Sequence, residues 1–335
     1  MNLGPLRSLD AIVRSGSFKK AAEQLHLTPP AVSLQIRQLE DECKLRLFER
    51  IGRRVRLTAA GRTLHEYAQR MFTLERDASW ALERLRGLEG GSLRVVCSET
   101  AAYYLPFLWR EFGRRYPGIQ VQLSLDNSEH VAERVVRLED DLGVLSIGTG
   151  HPDLAAELLV KDLVVAVVPP SHPWARRRWV SIDDFEGQSL VLRELGSATR
   201  ALAERRFAAL GIGWRMAMEI ASNEVIKRAV ELGAGIAILS VVVIAREVRD
   251  GTLCGIRIRD QEFIRPLHLA FHRERAESPA IQAFVALARE LRKNISVASA
   301  VRVLRTSRSR LKGARPRLTA SSKGGPRPHP RTDQE

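Results

Sequence analysis

The sequence predicts an α/β chain fronted by an all-α winged helix-turn-helix, with a long dimerising helix as linker and a two-lobed α/β region behind it. Three observations predict this. Short amphipathic patterns with tight turns fill the first 57 residues, an eight-member heptad series follows, and strand and helix patterns alternate from 91 to 295. At 335 residues the chain is long enough for two or three domains of ordinary size. The predicted division is 1–57 for the winged head, 58–90 for the linker, 91–295 for the two lobes and 296–335 for a disordered tail.

The head begins with a helix that carries Leu6, Leu9, Ile12 and Val13 and ends near Gly16. Ser17 stands where an N-cap belongs, ahead of Phe18, Ala21, Ala22 and Leu25 at helical spacing. After a break at His26-Leu27, Thr28 caps a further helix whose first turn holds Pro29 and Pro30, positions where proline is tolerated. Val32, Ile36 and Leu39 share one face and must turn inward, so Pro30, Ser33, Leu34 and Arg37 turn outward. Two short helices joined by a tight turn can lay the second in a DNA major groove. The run Arg50 to Leu57 alternates around Gly52 like a two-stranded wing, and its arginines suit phosphates or the minor groove. Many small helical domains contain such a turn without touching DNA; the basic wing is what tips this one.

Leu64, Tyr67, Met71, Leu74, Ala78, Ala81, Leu85 and Leu88 keep alternating spacings of three and four without a miss. A single narrow apolar seam of this length cannot bury itself, and the head could cover only its first part. Packing on a second copy of the chain is the expected solution.

Beyond it, Leu93 to Cys97 reads as a strand, Ala101 to Arg115 as a helix, Ile119 to Leu125 as a strand, Val131 to Leu138 as a helix and Leu142 to Ile147 as a strand. A second set follows: strands at Leu163–Val168 and Ser189–Leu192, a helix at Thr199–Leu210, a strand at Trp214–Ile220, a helix at Asn223–Leu232 and a strand at Gly235–Leu239. A strand at Ile264–Phe271 and a helix from Pro279 to about Asn294 close the pattern. Alternation of this kind implies parallel sheets with ligands at the carboxyl ends of the strands.

Composition narrows the function classes. No run approaches the roughly 18 apolar residues of a membrane span, and the N-terminus lacks the pattern of a secretory signal. Cys43, Cys97 and Cys254 are far apart, so neither a disulfide framework nor a zinc site is expected. The expectation is a cytoplasmic chain with no metal and no cofactor. The net charge of +14 is uneven: eleven basic against six acidic residues lie in 1–60, and ten against two in 296–335. Basic ends around a near-neutral middle fit a polyanion partner, although a tail of this kind can also mirror a biased genome.

Enzyme signals fail on inspection. His65-Glu66 would open a zinc-protease motif, but Gln69 replaces its second histidine. Around Ser146 a nucleophile-elbow pattern lacks its first glycine, which is Val144. Gly233-Ala234-Gly235 follows a helix and opens a strand, the reverse of a dinucleotide site.

Ser17 to Leu25, Pro30 to Ile36, Leu39-Glu40, Leu47 to Arg50 and Leu57 to Gly61 together closely resemble the LysR-type transcriptional regulators. Glu194 to Arg200, Ser222 to Glu224 and Gly233 to Ile236 look like that family's effector domain. The resemblance covers about residues 3–295 and leaves out the tail. It implies a winged helix-turn-helix, a dimerising linker and a two-lobed sensor of periplasmic-binding-protein type. It also implies dimers paired into tetramers, double-stranded DNA and a small effector as partners, and RNA polymerase as a further one. Three residues depart from the family pattern: Pro29 where Gln is common, Leu34 where Arg is common, and Lys44 where Gly is usual. Segments 29–36 and 222–227 look most like activators of carbon-fixation operons within the family.

The expected DNA-binding set is Thr28, Pro30, Ser33, Leu34 and Arg37 on the second helix, with Arg53 and Arg54 on the wing. In the sensor, Ser98 and Thr100 follow the first strand and open a helix, and Ser197 and Thr199 open another. Helix starts offer unpaired N–H groups and partial positive charge, which suit a small, anionic metabolite. Each hydroxyl can equally be a simple helix cap. The two-lobed architecture implied by the resemblance sets them across a cleft, and Asn127 and Thr149 join them on the resemblance alone. The expectation is therefore a ligand-controlled DNA-binding regulator with no enzymatic step. The rival is a solute-binding or enzymatic α/β domain fused to a helical module that does not bind DNA.

Overall fold

The structure is a computed structural model and describes residues 2–51, 54–85, 91–146, 151–260 and 263–292. Leu6, Leu9 and Ile12 bury one face of α1 (Leu3–Ser15), which stops where Gly16 adopts a left-handed conformation. Ser17 accepts from the Lys20 N–H to start α2 (Phe18–Gln24), and Thr28 accepts from Ala31 to start α3 (Pro29–Cys43). Val32, Ile36 and Leu39 pack inward against Leu9, Ile12 and Ala21 to form the head's core. Lys44 ends α3 with φ of 53°, so it supplies the left-handed turn for which glycine is the easier residue. The departure leaves the turn intact. An antiparallel ribbon, β1 (Phe48–Ile51) with β2 (Arg54–Leu57), forms the wing.

Thr58 then binds the Arg46 carbonyl and caps the start of α4 (Ala59–Leu85) by accepting from Gly61. Gly61 is required there: a Cβ would sit 2.1 Å from the Leu47 carbonyl oxygen. One face of α4 packs on the head through Leu64, Ala68 and Phe72, while His65 and Gln69 both hydrogen-bond Asp10. Past Leu64 the heptad seam is uncovered: Tyr67 and Leu74 are 58% and 67% exposed, and Met71 and Ala78 are exposed beside them. Leu88, the last residue of the predicted series, lies outside the described residues.

Lobe I is built from β3 (Gly91–Ser98), α5 (Glu99–Ala102), α6 (Leu105–Arg115), β4 (Ile119–Asp126), α7 (Ser128–Val136) and β5 (Leu142–Leu145). The one helix expected over 101–115 is two. Pro106 lacks an N–H and its ring opposes the carbonyl four residues back, so the chain turns at Tyr103-Tyr104 and starts again. A long strand, β6 (Leu154–Val168), crosses into lobe II. Sequence reading found only its second half, because 154–162 interleaves Glu157, Lys161 and Asp162 with apolar residues.

Lobe II holds β7 (Trp179–Val180), β8 (Ser189–Arg193), α8 (Ala198–Leu210), β9 (Arg215–Ile220), α9 (Asn223–Glu231), β10 (Ile236–Ser240), α10 (Ala245–Asp250) and β11 (Cys254–Ile258). The chain recrosses on β12 (Ile264–His272), and α11 (Pro279–Leu291) closes lobe I. The path of the sheet is β4-β3-β5-β12-β6-β10-β8-β9, with β11 and β7 branching from β6. Within the lobes β3 is parallel to β4 and β5, and β8 to β9 and β10. The crossing strands β6 and β12 are antiparallel to each other, so the sheet is mixed rather than all parallel as expected. A chain that visits a second lobe and returns needs two crossings of opposite direction.

Apolar layers cover both faces of each lobe: Leu105, Phe112 and Phe284 on one side of lobe I, Val131 and Val135 on the other. In lobe II Phe185 and Phe207 lie opposite Ile226 and Val230. The linker is pinned to lobe I by Arg76, which pairs with the buried Asp141; Arg275 holds the same carboxylate at 2.6 Å.

Candidate functional site

Two regions collect the residues that the sequence singles out. On the head, the inward face of α3 leaves Thr28, Pro30 and Arg37 exposed, Ser33 half-buried and Leu34 57% exposed. Gln35 turns back instead, accepting from Ser8 of α1. Ser33 and Arg37 line an open groove with Arg46, Phe48 and Val55, between α3 and the wing. Glu40 fixes the groove's floor by accepting from Arg46 and from the Leu47 N–H, each at 2.8 Å. Arg53 lies outside the described residues, and only the backbone of Arg54, in β2, is described. A face of this kind offers hydrogen-bonding and apolar groups to base edges and cations to phosphates.

The second region lies between the lobes, where Ser98, Thr100, Asn127, Ser197 and Thr199 line one cavity. The structure thus brings together five of the six predicted cleft residues; Thr149 lies outside the described residues. All four of the hydroxyl residues are buried. Their local roles differ. Ser98 accepts from Ala101 and Asn127 from His130, so both cap helices. Ser197 stands at the N-cap of α8 without making a side-chain cap bond, which leaves the first turn of that helix facing the cavity. Arg200, at the helix start, bonds Glu204, Glu219 and the Arg193 carbonyl, a structural role.

Sequence reasoning missed the two arginines of the cavity. Arg193, at the end of β8, donates through Nε and one terminal nitrogen to Glu194 at 2.8 and 2.9 Å, and through the other to Asn223 at 2.9 Å. Arg265, on β12, sits opposite Asp162 of β6 and donates to its Oδ2 twice at 3.2 Å. The other Asp162 oxygen accepts from Tyr104 of lobe I at 2.6 Å and from Ser240 of lobe II at 2.5 Å. One buried carboxylate therefore joins both crossing strands and both lobes next to the cavity wall. Two signals pointed to these arginines: a cation at a strand's carboxyl end, and a cation inside the apolar strand 264–271.

The lobes also touch directly. The Glu129 N–H donates to the Gly196 carbonyl at 3.2 Å, and Gly196 has φ of 83° with the Asn127 side chain 2.9 Å from any added Cβ. A larger residue there would strain the backbone and displace the Asn127 side chain. Glu99 of lobe I reaches Arg193 and the start of α9; burial pushes its carboxyl up, Arg193 and the Asn223 N–H pull it down, and Glu194 adds to the rise. Tyr103 donates to Glu224 of α9 at 2.7 Å.

Among the described residues no group of three or more His, Cys, Asp or Glu could hold a metal ion, and no helix is long and apolar enough to cross a membrane.

Residues 3–62 match the family model for the bacterial regulatory helix-turn-helix protein, lysR family, and residues 86–293 match that for the LysR substrate binding domain. The RuBisCO operon transcriptional regulator of Allochromatium vinosum is 35% identical over 284 residues, which span 85% of this chain and 94% of the relative. The regulatory domain of Synechocystis CcmR, solved in complex with 2-PG, is 29% identical with a TM-score of 0.58; the match covers 61% of this chain and 99% of that one. Full-length CbnR in complex with its target DNA shares the fold at 24% identity and a TM-score of 0.63, over 87% of this chain and 99% of that one.

Proposed function

Since this chain belongs to the LysR family of bacterial transcriptional regulators, we propose that it is the ligand-controlled DNA switch of a carbon-fixation operon. Regulation through DNA is the family's function, and the relatives are named as regulators rather than as enzymes. The solute-binding or enzymatic rival is not favoured. The relatives named for RuBisCO operons support the choice of target.

Ser33, Leu34 and Arg37 face base edges and flanking phosphates, with Thr28 and Pro30 at the helix start and Arg53 and Arg54 on the wing. Without Gln at position 29 and Arg at 34, this chain reads its site through a smaller polar set, with Leu34 against a thymine methyl. The exposed seam of α4 pairs with the same seam of a second copy, so two recognition helices meet inverted half-sites. The division into head (1–57), linker (58–90), sensor (91–295) and tail is the working one, and a cytoplasmic location follows from the DNA target.

The effector is a small anion held between the lobes by Ser98, Thr100, Asn127, Ser197 and Thr199, to which the family resemblance adds Thr149. The observation that carries this reading is the cavity itself: buried hydroxyls, the uncapped start of α8 and two buried arginines converge on it from both lobes. The 2-PG complex of the CcmR regulatory domain supports a small anion as the ligand. Ligand can bias the assembly only by preferring one lobe arrangement. Arg265 and Asp162 suit that task, because the pair links the cavity wall to both crossing strands.

Calorimetric titration with 2-PG tests the site. Thr100→Val and Thr199→Val are each expected to lose about 1 kcal/mol of binding per lost hydrogen bond, with DNA affinity kept. Parent-like binding by both variants would remove the cleft assignment.

A further inference from the structure

The first turn of α9 is not capped from within. Ser222 holds the N-cap position without making a side-chain cap bond, and the Asn223 N–H donates instead to both oxygens of Glu99, each at 3.0 Å, from the opposite lobe. Arg193 stands 3.2 Å from the same carboxylate, and its side chain is only 5% exposed. Yet Arg193 also lines the cavity beside Ser98, Thr100 and Thr199. Its guanidinium is shared by two carboxylates, Glu194 and Glu99, before any ligand is considered.

Two carboxylates and an incoming anion around one guanidinium cannot all remain ionised at low cost. Resting on the reading of the cleft as an anion site, we infer that Glu99 is its specificity-determining residue: a built-in carboxylate, anchored on the start of α9, that occupies Arg193 and yields it to the effector's anionic group.

Glu99 is the group that gives way, for geometric reasons. Glu194 is gripped through two parallel bonds from its own neighbour, whereas Glu99 makes a single longer contact with Arg193 and belongs to the other lobe. The groups that face it are Arg193 at the end of β8 and Glu194 just after it, Asn223 of α9 with its N-cap Ser222, and Tyr103 from its own segment. The adjoining Glu224 is held by Tyr103 and Lys227, and Lys227 in turn by Glu247. Arg193 is thus the cation that Glu99 and the effector both need. Burial already raises the Glu99 carboxyl, and an anion on Arg193 raises it further. Effector binding therefore takes up a proton on Glu99, and affinity rises as pH falls.

The test is calorimetry on the full chain with inorganic sulfate, which does not titrate between pH 5.5 and 8, and with 2-PG, each in two buffers of different ionisation enthalpy. The parent is expected to take up part of a proton per anion bound, measured without any variant. Glu99→Gln keeps an oxygen for the Asn223 N–H and removes the competing charge. It is expected to bind about tenfold tighter at pH 8, with the gap closing as pH falls and no proton uptake. Tyr103→Phe, which breaks a different lobe-to-lobe bond without changing charge, should keep the parent's pH dependence. Equal affinity and no proton linkage in parent and Glu99→Gln would overturn the role of Glu99 and leave the cleft reading standing. Failure of both anions to bind the parent would overturn both.

Discussion

The recognition face and the cleft use arginine in opposite ways. Arg37 projects from the exposed side of α3, whose other side is the head's core, so its charge stays hydrated and its neighbours do not depend on it. Arg193 and Arg265 are 4% and 6% exposed, and each is matched by a carboxylate from another part of the fold. A hydrated cation is available to a polyanion at no structural cost. A buried one is part of the scaffold, and a ligand that takes it must rearrange the scaffold. On the proposed reading, that difference is what would let the cleft, and not the head, convert binding into movement.

Substitutions can break this contrast. The largest expected effect is Asp162→Ala, which strands Arg265 and removes the acceptor of Tyr104 and Ser240. Removing one partner of a buried pair should cost about 3–5 kcal/mol in urea denaturation. Arg37→Ala should leave unfolding within about 0.5 kcal/mol of the parent. Equal costs at the two positions would erase the distinction. Next is the seam. Met71→Glu with Leu74→Glu puts charges where a second copy must pack, and sedimentation should show monomers. An unchanged oligomer would move the interface elsewhere.

A smaller effect falls on recognition. Arg37→Ala should lose about 1–3 kcal/mol of DNA affinity, with ligand titration unchanged. Ser33→Ala should change site preference more than affinity. The smallest is a cap test: Ser98→Ala should destabilise the fold by about 1 kcal/mol through the lost α5 cap, visible as a lowered Tm. Thr100→Val, next to it, should lower ligand affinity with little change in Tm.

The head was legible because its instructions are local. Ser17 and Thr28 cap within three residues, and Val32, Ile36 and Leu39 define a face within two turns. Lys44, where the family usually has Gly, put the local turn in doubt from sequence, and the structure keeps the turn by holding Lys44 itself in the left-handed region. The cleft was half legible. Strand ends and helix starts located Ser98, Thr100, Ser197 and Thr199, because those signals are again local, while Asn127 came only through the family resemblance. The electrostatics were not, since Glu99 meets Asn223 across 124 positions and Arg265 meets Asp162 across 103. Pairings of that range depend on the two crossing strands, and half of β6 is hidden by its charged residues. The break in the helix at Tyr103-Tyr104 was readable from Pro106, but apolar periodicity outweighed it.

On the proposed reading, one chain carries a DNA face and a ligand cleft that are separable by substitution but coupled by the fold. Fluorescence anisotropy of a labelled duplex from the promoter beside this gene, with and without 2-PG, is the decisive measurement. 2-PG is expected to shift the parent's binding curve, while Thr199→Val binds the duplex like the parent without ligand and does not respond to it. No shift in the parent, or an identical shift in Thr199→Val, would contradict it.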